Sequence, residues 1–168
     1  MSFVSRRLQL GALLSFVPIV TGVLLWSNIG AADPPLRLKA SLSERTLSVI
    51  EDGEVVQTYG IAIGRPSYPT PTGSFRTGRI EWNPSWTPPA SDWAKNETPK
   101  SPGDPENPMQ GVKIYFQAPD YFIHGTNDPA SIGEAASHGC IRMTESDARE
   151  LARRIQRAGG GVPFDIVE

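Results

Sequence analysis

The chain has 168 residues, of which 39% are hydrophobic, enough for one domain with a buried core but not for two. Glycine and proline number 16 each, together about 19% of the chain, below the roughly 25–30% that marks low-complexity sequence. The net charge is −2, and without the N-terminal segment 14 basic residues face 18 acidic ones, because Arg6 and Arg7 are the only charges before Asp33; such an acidic domain, with no basic stripe, is not expected to bind nucleic acid.

Arg6 and Arg7 precede an apolar run from Leu8 to Trp26, and small residues lead up to Ala32. A basic start, an apolar stretch and a small-residue junction describe a secretory signal over residues 1–32, with cleavage after Ala32 preferred. The run also approaches bilayer-spanning length, so the alternative is an uncleaved anchor, which would be the chain's only membrane contact. Either way residues 33–168 form an exported domain of the periplasm or cell envelope.

From Leu36 the apolar residues alternate with polar ones through Leu42, and again at Leu47 and Val49, as in half-buried strands. Asp52-Gly53 is a hairpin signal, and a returning strand is expected from Val55 to Ile63, ending at Gly64. Pro69-Thr70-Pro71-Thr72-Gly73 is a rigid turn, and Phe75–Trp82 reads as one further strand. Residues 83–110 break the rhythm with seven prolines, Trp86 and Trp93. A loop of this length is expected to form a lid or wall of a substrate cleft, or else a structural loop whose tryptophans cap the core. Val112, Ile114 and Phe116 form a strand alternating with Lys113 and Tyr115, and Tyr121–Ile123 delivers His124 to a loop. Thr144 is placed to cap a helix with Asp147 at its third position, burying Ala148, Leu151, Ala152 and Ile155. Gly159-Gly160-Gly161 ends the helix, and Val162, Phe164 and Ile166 form a last strand. Short strands separated by strong turns argue for an all-β sheet or barrel core.

Residues 121–143, YFIHGTNDPASIGEAASHGCIRM, hold both histidines, His124 and His138, and the only cysteine, Cys140. A single cysteine makes no internal disulfide, so in an exported chain it is a buried small hydrophobe or a reactive thiol. Its polar and glycine neighbours favour the thiol, and nearby imidazole and guanidinium groups favour a thiolate. Gly139 lets the backbone approach a substrate closely, and the N–H groups of Gly139 and Cys140 are candidate oxyanion donors. Two bases are available: His138 shares a face with Cys140 if the backbone is extended, and His124 can face it across a sheet. Spacing alone does not choose between them. A His₂Cys metal set and Ser137 as nucleophile are weaker readings, since there is no second cysteine and a thiol is the better nucleophile.

Ile123-His124-Gly125-Thr126-Asn127 followed by Ser137-His138-Gly139-Cys140-Ile141-Arg142-Met143 resembles the signature of the L,D-transpeptidase catalytic domain, the YkuD-like family. The resemblance runs from about Leu36 to Val167 and takes in Asp52-Gly53, Thr70-Pro71-Thr72-Gly73, Asn107-Pro108 and the closing helix. It implies a mainly β, sandwich-like or barrel-like fold with long loops and one C-terminal helix. It also implies Cys140 as nucleophile, His124 as general base oriented by the Gly125 carbonyl, and His138 and Gly139 at the oxyanion site. Arg142 and Ser137 are implied substrate contacts, to which Trp86 and Trp93 are added from the loop, and no metal or other cofactor is implied. The implied donor is a peptidoglycan tetrapeptide stem, cleaved beyond its third residue with loss of D-alanine, and a second stem's amine completes a 3→3 cross-link. The alternatives on the same fold are a hydrolase, a transferase that joins a lipoprotein acceptor to the wall, and an inactive wall-binding module.

Overall fold

The computed structural model describes residues 35–168, so the expected export segment at 1–32 lies outside the described residues. The first strand, Leu36–Ser41 (β1), buries Leu36, Leu38 and Ala40 on one face, as its alternation demands. It pairs antiparallel with Thr46–Glu51 (β2), which turns through Asp52 and Gly53 into Glu54–Gly60 (β3). Asp52 and Gly53 both have positive φ, 51° and 85°, the conformation that two-residue hairpin turns of this hand require. Gly73–Arg76 (β5) and the last strand, Pro163–Val167 (β11), complete a five-stranded sheet in the order β3-β2-β1-β11-β5. β11 runs parallel to β1 and antiparallel to β5.

A second sheet has the order β10-β8-β7-β6, made of Ile80–Trp82 (β6), Gln110–Gln117 (β7), Tyr121–Gly125 (β8) and Ile141–Met143 (β10). Ile63–Gly64 (β4) and Ala135–Ser137 (β9) form a short parallel ladder beside it. Neither larger sheet closes on itself, so the fold is sandwich-like and not a barrel. Among the described residues no helix is long and apolar enough to cross a membrane.

Two expected strands are each divided. The strand expected to run on to Ile63 ends at Gly60, where the backbone leaves β2 and Ile63 N–H turns to the carbonyl of Glu134, 3.0 Å away. The strand expected over Phe75–Trp82 is cut at Thr77–Arg79. Thr77 still donates to the Val162 carbonyl at 2.9 Å, whereas Gly78 donates to that of Tyr115 at 2.6 Å. Past the first break Ile61, Ala62 and Ile63 are all buried, so the alternation stops where the pairing partner changes.

The helix Glu145–Arg157 (α1) starts where expected: Thr144 Oγ1 accepts the Asp147 N–H at 3.2 Å. It ends on Gly159 and Gly160, whose N–H groups reach the carbonyls of Gln156 and Ile155 in a Schellman arrangement. Arg149 pairs with Glu145, and Arg154 with Glu51 and Glu150, as on a solvated face. Ala148, Leu151, Ala152 and Ile155 are fully buried and pack into the core with Leu38, Phe164, Ile114 and Ile141. Each such side chain contributes about 1.5–3 kcal/mol for the larger residues. The helix packs against β7 and β8 and so backs the strands that carry the site.

Candidate active site

Alternation along β7, β8 and β10 sorts the side chains of the second sheet. Val112, Ile114, Ile123, Ile141 and Met143 enter the core. The opposite face carries Lys113 and Tyr115 from β7, Phe122 and His124 from β8, and Arg142 from β10. Register aligns Lys113, His124 and Arg142 in one row, and Cys140 lies just before β10, next to the Phe122 row. All six side chains line one cavity of about 710 Å³. The loop 83–110 forms its wall through Trp86, Trp93, Pro108 and Met109.

This loop is tied down. Trp86 and Lys100 exchange two backbone hydrogen bonds of 2.9 Å, and Trp86 is buried against Met109 and Phe122. Asn107 is fully buried, donates to the carbonyls of Pro84 and Ser101 at 2.9 and 3.0 Å, and accepts the Met109 N–H at 2.8 Å. Trp93 lies flat on the His138 ring, with centroids 3.8 Å apart and planes 12° apart.

His124 is buried, and its Nδ1 hydrogen-bonds the Gly125 carbonyl at 2.9 Å. Nδ1–H donates to that carbonyl, so the lone pair of the neutral ring is on Nε2. Burial pushes the imidazole down to about 4, against the upward pull of the Gly125 carbonyl, and the cations Arg142 and Lys113 push it down further. Gly125 has no room for a side chain, since a Cβ would fall 2.2 Å from the Gln110 carbonyl oxygen. The Cys140 sulfur lies 3.6 Å from the Asp120 carbonyl. Burial pushes the thiol up to about 11, with Lys113 and Arg142 pulling the other way. The pair therefore rests as neutral thiol and neutral imidazole. The thiolate expected from the basic neighbours is outweighed by desolvation.

The backbone from His138 to Cys140 is not extended, so the condition for their sharing a strand face is not met, although both line the cavity. Gly139, at φ 110°, turns the chain between them, and a Cβ there would meet the Tyr121 ring at 2.8 Å. His138 instead bonds Arg65 through Nε2 and packs edge-on against Tyr68. Burial and the charges of Arg65 and Arg142 lower its pKa.

Ser137 is 1% exposed, and its hydroxyl accepts the Gly139 N–H at 3.0 Å and donates to the Cys140 carbonyl at 2.6 Å. The hydroxyl thereby shapes the turn that presents Cys140, and Ser137 also lines the cavity. The same bond occupies the Gly139 N–H, which is thereby removed as a free oxyanion donor. Thr70 holds the turn from the other side, donating to the Gly139 carbonyl at 2.9 Å and accepting the Gly64 N–H at 2.8 Å. Arg142 exchanges backbone hydrogen bonds with Ala62, and its buried Nε has no partner among the described residues. Among those residues no three His, Cys, Asp or Glu side chains gather as a metal-ligand set.

A family model described as the L,D-transpeptidase catalytic domain (YkuD) matches residues 35–164, which takes in the whole of this site. The chain belongs to that family. A putative L,D-transpeptidase YkuD of Bacillus licheniformis is 36% identical over 118 residues, covering 70% of this chain and 59% of the relative. The solved structure of L,D-transpeptidase 3 from Mycobacterium tuberculosis superposes with a TM-score of 0.63 at 21% identity, covering 80% of this chain and 62% of that one. An LD transpeptidase solved in complex with imipenem gives a TM-score of 0.60 at 24% identity, covering 79% of this chain and 59% of that one. The chain thus spans about 60% of the length of these relatives.

Within this L,D-transpeptidase domain the sequence motif contains Cys140, His124, His138, Gly139 and Arg142, and the fold brings them together. Arg65, Tyr68, Thr70 and Lys113 join the site from outside the motif. Lys113 left one sequence signal, its place on the polar side of an alternating strand. Arg65 and Tyr68 left none, because a loop closure some seventy residues from the motif brings them in.

Proposed function

We propose that this chain is a peptidoglycan L,D-transpeptidase that forms 3→3 cross-links through a Cys140 thioester and releases D-alanine. The observation that supports this best is the neutral pair on one sheet face: a thiol and an imidazole open on one cavity, the imidazole's free lone pair fixed by the Gly125 carbonyl.

On this reading His124 Nε2 accepts the thiol proton as sulfur attacks the carbonyl of the stem's third residue. The developing oxyanion is met by the Cys140 N–H and by His138, whose Nδ1 carries a proton because Nε2 faces Arg65. Collapse breaks the carbon–nitrogen bond, the imidazolium returns its proton to the leaving amine, and D-alanine departs. A second stem's side-chain amine then attacks the thioester and forms the new amide. The amine's proton passes through His124 back to sulfur, which leaves as the thiol. Arg142 and the walls of Trp86 and Trp93 hold the stem. Residues 1–32 carry the domain to the cell envelope.

Incubating the protein with tetrapeptide stems, alone and with candidate amine acceptors, and weighing the products tests this. A cross-linked dimer with loss of D-alanine is expected; a tripeptide alone would make the protein a hydrolase, and a conjugate formed only with a lipoprotein lysine would make it a wall-anchoring transferase. In the same assay imipenem is expected to add its mass to the intact chain and not to Cys140→Ala. An unchanged adduct in that variant would remove Cys140 as the nucleophile.

A further inference from the structure

Lys113 is a half-buried cation with an unused charge. It sits on β7 in register with His124, on the side of His124 away from Cys140 and Arg142. Its ammonium lies 4.0 Å from the Phe122 ring centroid and 4.6 Å from that of Tyr115, two faces that attract a cation but do not neutralise it. Among the described residues no carboxylate lies within ion-pair distance of it. The ladder neighbour that would pair with it, Glu81, is taken by Arg79 at 2.6 Å and by the Tyr115 hydroxyl at 3.0 Å. A cation held at a cavity wall by aromatic faces, with the nearest acid diverted, is arranged for an anion from outside the chain.

Position says which anion, resting on the acyl-transfer reading above. His124 lies between the sulfur's strand and Lys113, so the leaving amine that it protonates sits over β8. The carboxylate of a departing amino acid is two bonds beyond its amine. Directed away from Cys140, it reaches over the next strand, about 4.8 Å across, which is β7 at Lys113. We propose that Lys113 is a specificity-determining residue that binds the free terminal carboxylate of the departing amino acid and so restricts the donor to peptides ending in a free acid. Arg142, on the opposite side of His124, is left for the acyl half of the stem.

Two tetrapeptide donors test it, one ending in the free acid and one in the carboxamide, with kcat/KM for release of the last residue measured on the wild type, Lys113→Met, Lys113→Gln and Lys113→Arg. The wild type is expected to prefer the acid by about tenfold or more, the worth of one charge-assisted hydrogen bond. That preference falls to near unity in the Met and Gln variants and is retained in the Arg variant. Whichever of Met and Gln folds, as judged by its melting curve, supplies the comparison. A preference that survives loss of the cation overturns the proposal, as does a wild type that treats both donors alike. A variant that loses rate on both donors in equal proportion also overturns it, since Lys113 would then act only through the potential at His124 and Cys140. Release from neither donor by the wild type would instead refute the transpeptidase reading, and this proposal with it.

Discussion

His124 and His138 are the same residue put to different uses by their surroundings. The Gly125 carbonyl fixes His124 as the Nδ1–H tautomer, whereas Nε2 of His138 is engaged by Arg65 and its ring is covered by Trp93. A base needs a free lone pair, so His124→Ala is expected to slow Cys140 acylation by about 10²–10⁴-fold and His138→Ala by less. Single-turnover acylation by imipenem, followed by intact mass, gives the ranking; the reverse order would make His138 the base. Cys140 and both histidines were legible in the sequence because two residue types carry this chemistry and the motif crowds them together. The Ser137 hydroxyl was not, because its role depends on a turn. The left-handed φ of Gly139 brings the Gly139 N–H and the Cys140 carbonyl onto one oxygen, and nothing in the spelling Ser-His-Gly-Cys dictates that.

Among the elements, α1 was the most legible, since its cap, buried stripe and stop are local features that need no partner to be recognised. The divided strands were the least legible, since breaks at Gly60 and Thr77 are decided by which distant strand offers the next carbonyl. The loop 83–110 falls between: its prolines and tryptophans mark it as a wall or cap, but the side-chain amide of Asn107, one of its buried anchors, is not announced by them. Removing that amide leaves the Pro84 carbonyl and the Met109 N–H without partners in a buried place, and frees the Ser101 carbonyl at its edge. Asn107→Ala is therefore expected to destabilise the loop by about 2–4 kcal/mol. Hydrogen exchange should show Met109 and its neighbours losing protection while the amides of α1 keep theirs. Equal loss in both would mean that the loop and the core melt as one unit.

For the molecule as a whole, the buried neutral histidine makes stability depend on pH. Its pKa is about 4 in the folded chain and near the ordinary 6.5 in the unfolded one. Between those values the unfolded chain binds a proton that the folded chain refuses, so stability rises with pH across that window. The contribution is fully present above about 6.5, and about 3 kcal/mol is lost by pH 4. His138, also lowered but partly exposed, adds in the same direction. The melting temperature of the wild type should therefore fall more steeply from pH 7 to 4 than that of His124→Gln, and parallel slopes would exclude His124 as the cause. The parallel contact of β1 with β11 has a consequence of another kind. The first strand of the domain sits at the centre of its sheet, yet one of its neighbours comes from the other end of the domain, with Leu38 beside Phe164 and Ser41 beside Val167. A growing chain can fold β1 against β2 early, but it must carry an open strand edge until Pro163–Val167 exist. Such long-range pairing slows folding and lengthens the time for which that edge can join another molecule. A chain cut short before Pro163 would keep the motif and its cysteine and still be unable to finish the sheet.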